Sequence, residues 1–191
     1  LIAMSHLGRP KGQPDPKYSL KPVASHLQSL VNTKVIMAED SVGPQVQEAV
    51  NQLQPGEILL LENLRFHAEE EKNDAGYARQ LADLADVYVN DAFGTAHRAH
   101  ASTAGVADYL PAYAGFLMEQ EVKMLRQVLD HPEPPRMAIL GGAKVADKLA
   151  LIGNLINKMD ILLIGGGMAN TFLKAQGYEI GKSICEDELL E

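Results

Sequence analysis

His97, Arg98 and His100 place three potential cations within four consecutive positions of a chain whose formal net charge is −8. They close the stretch Asn90-Asp91-Ala92-Phe93-Gly94-Thr95-Ala96-His97-Arg98-Ala99-His100, which follows the apolar run Val87-Tyr88-Val89. That run reads as a buried strand, and the small residues around Gly94 keep the loop after it open. Parallel α/β sheets bind ligands in loops beyond the carboxyl ends of their strands. Cations held there favour an anion. Two other stretches repeat the arrangement. Ser5-His6-Leu7-Gly8-Arg9-Pro10 follows the apolar Leu1 to Met4, and Arg65, in Glu62-Asn63-Leu64-Arg65-Phe66, follows Ile58 to Leu61. In one parallel sheet these three strand ends share an edge, so the cations converge although they are far apart in sequence. Arginine grips carboxylate or phosphate with a two-pronged fork. A cluster of arginines and histidines therefore implies an anion with more than one charged group. Taken singly, each of these residues reads more readily as an ordinary surface or ion-paired side chain; it is the recurrence after three strands that points to a site.

The second half of the chain offers a different chemistry. Gly141-Gly142-Ala143-Lys144 joins an apolar run to a helical pattern. Glycines let a phosphate approach the backbone, and a helix start supplies N–H groups and the positive end of a dipole. Lys144 and Lys148 are one helical turn apart and would share a face. Two ammonium groups there suit a polyphosphate, although a tight turn with a solvated lysine pair fits the same residues. Two lookalikes are weaker. Gly177 to Ser183 resembles a P-loop but has three residues between its glycines where that motif has four. Gly165-Gly166-Gly167-Met168-Ala169-Asn170 puts Asn170 where a dinucleotide fingerprint needs its third glycine. It still leaves bare backbone against which a flat base could lie. His26, His67 and His131 are isolated in sequence and read as surface or capping residues. Cys185 reads as structural, and the methionines as core filling.

These residues need a scaffold, and the pattern supplies one. Short apolar strands at Val35 to Met37, Ile58 to Leu61, Met137 to Leu140 and Ile161 to Ile164 alternate with helical periodicity. The helices are marked by Val23, Leu27 and Leu30, by Val42, Val46, Val50 and Leu53, and by Tyr77, Leu81 and Leu84. Asn73 or Asp74 would cap the last of these, and Ser19 the first. Glu69-Glu70-Glu71 reads as a solvated turn, and Pro111 begins another turn. The alternation predicts parallel sheets with helices packed on their faces. A helix over Phe116 to Leu129, followed by the proline-rich His131 to Pro135, predicts a domain boundary, after which the pattern restarts. A second helix is expected from Val145 to Lys158. Composition is that of an ordinary globular protein, with 46% hydrophobic and 22% charged residues. The acidic balance argues against a general nucleic-acid binder. A single cysteine excludes an internal disulfide and suits a reducing compartment. No apolar run approaches the roughly 18 residues that cross a bilayer, and no export leader is legible. A strand in progress at Leu1 and a helix starting at Glu186 read as an internal fragment of a longer protein.

The quoted motifs, in this order and at these spacings, closely resemble the phosphoglycerate kinase family across essentially the whole chain. The resemblance implies two Rossmann-like three-layer α/β domains with parallel sheets, joined by a helix and both truncated here. Residues 1–115 would form the substrate domain, lacking its first strand. Residues 116–134 would form the interdomain helix and linker, and residues 135–191 the start of the nucleotide domain. It implies reversible phosphoryl transfer between 1,3-bisphosphoglycerate and ADP, giving 3-phosphoglycerate and ATP, by direct transfer with hinge closure. His6, Leu7, Gly8, Arg9, Arg65, His97, Arg98 and His100 would bind the phosphoglycerate. Gly141, Gly142, Ala143, Lys144, Lys148, Gly165, Gly166 and Gly167 would bind ADP or ATP, with Phe93 in the hinge machinery. Lys144 would meet the phosphoryl group in flight, and Arg9 would hold its donor. Mg2+ would arrive with the nucleotide, and the family's metal-holding aspartate has no counterpart in this chain, so no metal ligand is expected. The implied protein is a cytoplasmic monomer acting on small molecules, with no nucleic acid or membrane. The fragment alone would be inactive. The alternative is a non-catalytic module that binds a phosphoanion or nucleotide.

Overall fold

The computed structural model describes residues 1–130 and 133–190, the side chain of Leu129 excepted. The expectations for His131 and Pro132 lie outside the described residues. The fold is α/β. Strand β1 (Ile2–Ala3) is followed by α1 (Lys21–Leu30), β2 (Val35–Met37), α2 (Pro44–Gln52) and β3 (Ile58–Leu60). Two short helices, α3 (Ala68–Glu71) and α4 (Ala75–Ala82), lead to β4 (Tyr88–Asn90). Strand β5 (Ala112–Ala114) then runs into the long helix α5 (Phe116–Asp130). After it come β6 (Met137–Gly141), α6 (Leu149–Ile156), β7 (Ile161–Gly165) and α7 (Gly166–Ala175). Every strand pair is parallel. The order β1-β3-β2 makes one sheet, and β4-β5 and β6-β7 make two smaller ones. The chain divides into two compact units, Leu1–Val122 and Lys123–Glu191, with the division inside α5.

Strand β3 shows why the first sheet must be covered on both faces. Successive side chains of a strand point to opposite faces. Leu59 and Leu61 go to one side, where they pack with Val46 of α2 and Tyr77, Ala78 and Leu81 of α4. Leu60 goes to the other, against Leu20, the cap of α1, and Ala24 within it. All three leucines are at most 4% exposed, and each contributes about 2 kcal/mol of apolar burial. An unbroken apolar run is what this two-sided burial requires. Helix α4 is capped as its sequence predicts, with Asp74 Oδ1 accepting from the Tyr77 N–H at 2.9 Å. Ser19 acts one residue earlier than a true cap, since Leu20 holds that position. The Ser19 hydroxyl accepts from the Lys21 N–H and donates to Glu62.

Several local expectations change. The stretch from Pro111 contains a strand, β5, and not only a turn. Tyr88 is buried, but Val87 and Val89 are about half exposed. Strand β4 pairs with β5 on one side only, and its other edge opens into a cavity of about 950 Å3. Leu1 to Met4 line the same cavity, so β1 and β4, each unpaired on one edge, border one slot. The helix expected from Val145 begins instead as a 3-10 turn, Ala146–Lys148, and becomes α-helical at Leu149. The chain's last segment forms a 3-10 turn, Asp187–Leu189.

Candidate functional site

The first unit gathers cations where the strands end. The Ser5 to Arg9 loop beyond β1 is shaped by residues that follow β3. Asn63, 1% exposed, donates from Nδ2 to the carbonyls of Leu7 and Tyr18 at 2.8 and 2.9 Å. Its Oδ1 accepts from the Arg65 N–H at 3.1 Å. The Leu64 N–H donates to Ser5 O, and Arg65 Nη1 donates to Gly8 O at 2.8 Å. Gly8 itself is dictated by its surroundings. Its φ is +64°, and a Cβ would lie 2.4 Å from the Tyr18 ring. Behind Asn63, the buried carboxylate of Glu62 accepts from the Ser19 hydroxyl and from the Leu20 and Asn63 N–H groups at 2.6 to 2.7 Å.

His6, Arg65, Arg98 and His100 share one electrostatic neighbourhood. The His6 imidazole is held below its ordinary pKa, first by burial and then by the positive charges of Arg65, Arg98 and His100, with Glu71 opposing them. An imidazole whose charged form is disfavoured by neighbouring cations as well as by burial marks a place that would accept negative charge. Arg65 is 5% exposed, and its Nε lies 3.4 Å from Glu71 Oε1. That contact has ion-pair reach without hydrogen-bond alignment, since the same nitrogen has no hydrogen-bond partner. Arg98 directs its Nε to His97 Nε2 at 3.3 Å. His97 and Arg9 are exposed, as is the Leu7 side chain.

The acidic run Glu69-Glu70-Glu71 is not the solvated turn its composition predicts. Glu69 is exposed, Glu71 faces Arg65, and Glu70 is 3% exposed. The Glu70 carboxylate accepts from the Ser102 N–H at 2.9 Å and hydroxyl at 2.6 Å, and its Oε1 is 3.7 Å from His100 Nδ1. His67 is likewise engaged. Its Nε2 is 2.6 Å from Asp40 Oδ1, and its ring stacks on Tyr77 at 5.1 Å. The Glu70–Ser102 and His67–Asp40 contacts each join residues more than 25 positions apart, so neither leaves a local signal.

The second unit places its glycines against each other. Gly166, with φ +66°, sits where a Cβ would be 3.0 Å from Gly142 O, and a Cβ on Gly167 would be 3.1 Å from Ala143 Cα. The Met168 N–H donates to Gly142 O at 2.9 Å. The loop after β6 and the start of α7 therefore touch backbone to backbone. Lys148 folds over Gly142, its Nζ 3.4 Å from where a Cβ would be, and Gly141 and Lys144 are exposed. Two expectations need correction. Lys144 precedes the 3-10 turn, so helical spacing does not relate it to Lys148. The N–H groups of Val145 and Ala146 are not free for a ligand, because both donate to Glu186 Oε2. A carboxylate already complements the backbone there.

Neither lookalike completes its motif. Gly177 to Ser183 follows helix α7, not a strand. Asn170 lies within α7 and donates to Ile184 O at 3.1 Å. Cys185 is hydrogen-bonded to Asp187, which pushes its thiol pKa up and disfavours the thiolate. Among the described residues no group of three or more His, Cys, Asp or Glu side chains is placed to hold a metal. No described helix is long and apolar enough to cross a membrane.

The phosphoglycerate kinase family model matches residues 1–191. The chain belongs to the phosphoglycerate kinase family. It is 63% identical to the phosphoglycerate kinase of Moorella thermoacetica over 98% of this chain and 48% of that protein. It is 59% identical to that of Pelotomaculum thermopropionicum over the whole chain and 49% of the relative. The structure of phosphoglycerate kinase from Coxiella burnetii superposes with a TM-score of 0.83 at 45% identity, covering all of this chain and 48% of that one. The Pyrococcus horikoshii enzyme gives a TM-score of 0.77 at 35% identity, over 94% of this chain and 46% of its own. The chain thus spans about half the length of the relatives it matches.

Proposed function

We propose that this chain contributes the phosphoglycerate site and part of the nucleotide site of a phosphoglycerate kinase. The reaction is reversible phosphoryl transfer between 1,3-bisphosphoglycerate and ADP, yielding 3-phosphoglycerate and ATP. The observation that carries the reading is the convergence of His6, Arg65, Arg98 and His100 on one side of the first unit, in a chain of this family. In this reading residues 1–115 form the substrate domain, 116–134 the connecting helix and linker, and 135–191 the start of the nucleotide domain. The slot between the free edges of β1 and β4 supports the place of a further strand in the first domain. The protein acts as a cytoplasmic monomer.

The chemistry follows from charge. Phosphoryl transfer needs little covalent help from the protein, so catalysis is positioning plus neutralisation of the transferred oxygens. Arg98 and Arg9 supply guanidinium groups for the phosphoglycerate, assisted by His6, His97 and His100. Arg65 acts partly through the Gly8 carbonyl it holds. In the second unit, Gly142, Gly166 and Gly167 keep side chains away from the surface where ADP or ATP would lie. Lys148 contacts its phosphates, and the exposed Lys144 reaches the group in flight. Mg2+ enters with the nucleotide as part of the substrate, and no step is assigned to protein ligands for it.

The test uses the full-length protein. Arg98→Ala is expected to weaken 3-phosphoglycerate binding by about tenfold or more, the worth of one charge-assisted bidentate contact. Lys144→Ala is expected to lower turnover far more than nucleotide affinity. Calorimetric titration and steady-state rates read the two effects. Unchanged affinity in the first variant would remove the anion site from this face. Unchanged turnover in the second would remove Lys144 from the chemistry and favour a module that only binds.

A further inference from the structure

The loop from Asp91 to Thr103 carries His97, Arg98 and His100, and most bonds that shape it are local. The Ala92 N–H donates to Asn90 Oδ1 at 3.0 Å. Thr103 Oγ1 donates to Arg98 O at 2.9 Å and accepts from the His100 N–H at 3.1 Å. Such bonds curl the loop without fixing its place on the domain. At the loop's start Asp91 Oδ1 accepts from the Met118 N–H of α5 at 3.0 Å. Around the cations, its attachment to a distant element converges on Glu70. The Glu70 carbonyl accepts from the Ala101 N–H at 2.9 Å, its carboxylate takes both donors of Ser102, and His100 faces the same carboxylate. The Tyr88 hydroxyl closes the turn by donating to Ser102 O at 2.8 Å. A carboxylate buried this deeply is unfavourable unless it is fully bonded. The loop supplies the side-chain and N–H donors it needs, so the buried charge and the placed loop require each other.

We propose that Glu70 is a positioning residue for the phosphoglycerate site: it fixes His100 and the Ala101-Ser102 turn, and thereby holds Arg98, two residues before His100, in place on the patch. This rests on the reading of that patch as the phosphoglycerate site. Glu70 does not touch substrate. It turns His100 Nδ1 inward and leaves Nε2 as the nitrogen available to an anion. The neighbouring glutamates cannot substitute, since Glu69 is exposed and Glu71 is engaged with Arg65.

The experiment compares Glu70→Gln, Ser102→Ala and Glu69→Gln in the full-length protein. Steady-state KM values are measured for 3-phosphoglycerate and for ATP, and circular dichroism melting confirms folding at the assay temperature. Glu70→Gln keeps the size of the side chain and loses its charge. It is expected to raise the KM for 3-phosphoglycerate by about tenfold, the scale of one lost charge-assisted hydrogen bond, and to leave the KM for ATP within about twofold. Ser102→Ala removes one donor from the other side and should shift the same KM in the same direction by less. Glu69→Gln, which removes the same charge from the adjacent exposed position, should shift neither. If Glu70→Gln does not fold, Ser102→Ala decides. An unchanged 3-phosphoglycerate KM in a folded Glu70→Gln or, failing that, in Ser102→Ala overturns the proposal, as does an equal rise in both KM values. Arg98→Ala separates the two levels. If it also has no effect, the site reading itself has failed. If it weakens binding while the Glu70 and Ser102 variants do not, only the positioning role has failed.

Discussion

Asn63→Asp changes one amide to a carboxylate of nearly the same shape, so it creates no cavity. It removes both Nδ2 bonds, to Leu7 O and Tyr18 O, and turns an oxygen toward the two carbonyls. The new charge sits at a position 1% exposed, beside the buried carboxylate of Glu62. The bond from the Arg65 N–H survives, because the retained oxygen still accepts it. Two lost hydrogen bonds cost about 1 kcal/mol each, and the stranded buried groups add about 1–3 kcal/mol, giving about 3–5 kcal/mol in all. That is a large part of a domain's stability. Native-state hydrogen exchange of the Leu59 to Leu61 amides reads this unit separately from the other. At about pH 7.5 their protection should fall by about two to three and a half orders of magnitude, at about 1.4 kcal/mol per decade. The pH dependence has a definite sign. The buried carboxyl introduced by the substitution would titrate above its unfolded value of about 3.9. The folded state then takes up the proton first as pH falls, and a protonated carboxyl can donate one of the two missing bonds. The deficit should therefore shrink on acidification from about pH 7.5 toward about 5. A loss below about 1 kcal/mol at about pH 7.5, or a deficit that grows on acidification, would show that Asn63 does not hold the Ser5 to Arg9 loop.

Two further outcomes can be checked directly. The His6 imidazole should titrate below its ordinary 6.5 by NMR and move upward when a phosphoanion binds, because the anion offsets Arg65, Arg98 and His100. Its folded pKa lies below the unfolded one, so its contribution to stability is complete above about pH 6.5 and declines as pH falls below it; a free-protein pKa at or above 6.5 would contradict the placement. Gly166→Ala should destabilise the second unit by about 1–2 kcal/mol for its left-handed backbone alone, with more from the approach to Gly142 O, and should weaken ATP binding. Calorimetric titration showing unchanged affinity and an unchanged melting temperature would contradict the close packing of the two glycine loops.

Much of the architecture follows from the sequence because its signals are local. The apolar run Ile58 to Leu61, the cap at Asp74 and the glycines beyond β6 and β7 each report periodicity or turn chemistry within a few residues. Strand-end loops rich in cations are legible for the same reason, as is the restart of the pattern after α5. Other features require the folded chain. Glu70 lies between two other glutamates, and nothing nearby distinguishes it, since its burial is decided by Ser102, 32 residues away. Glu186 takes the N–H groups of Val145 and Ala146, 41 and 40 residues away, and this leaves the lysines and bare glycines, not the turn's N–H groups, to meet a ligand. Strand β5 hides in an Ala-Tyr-Ala segment with no apolar alternation, because all three residues are exposed and only backbone pairing with β4 defines it. Local patterns along the chain thus set the elements and the types of residue at their ends. Folding decides which charges are buried, which donors are already spent, and which of the candidate cations face one another, because those depend on partners that are distant until the chain has folded.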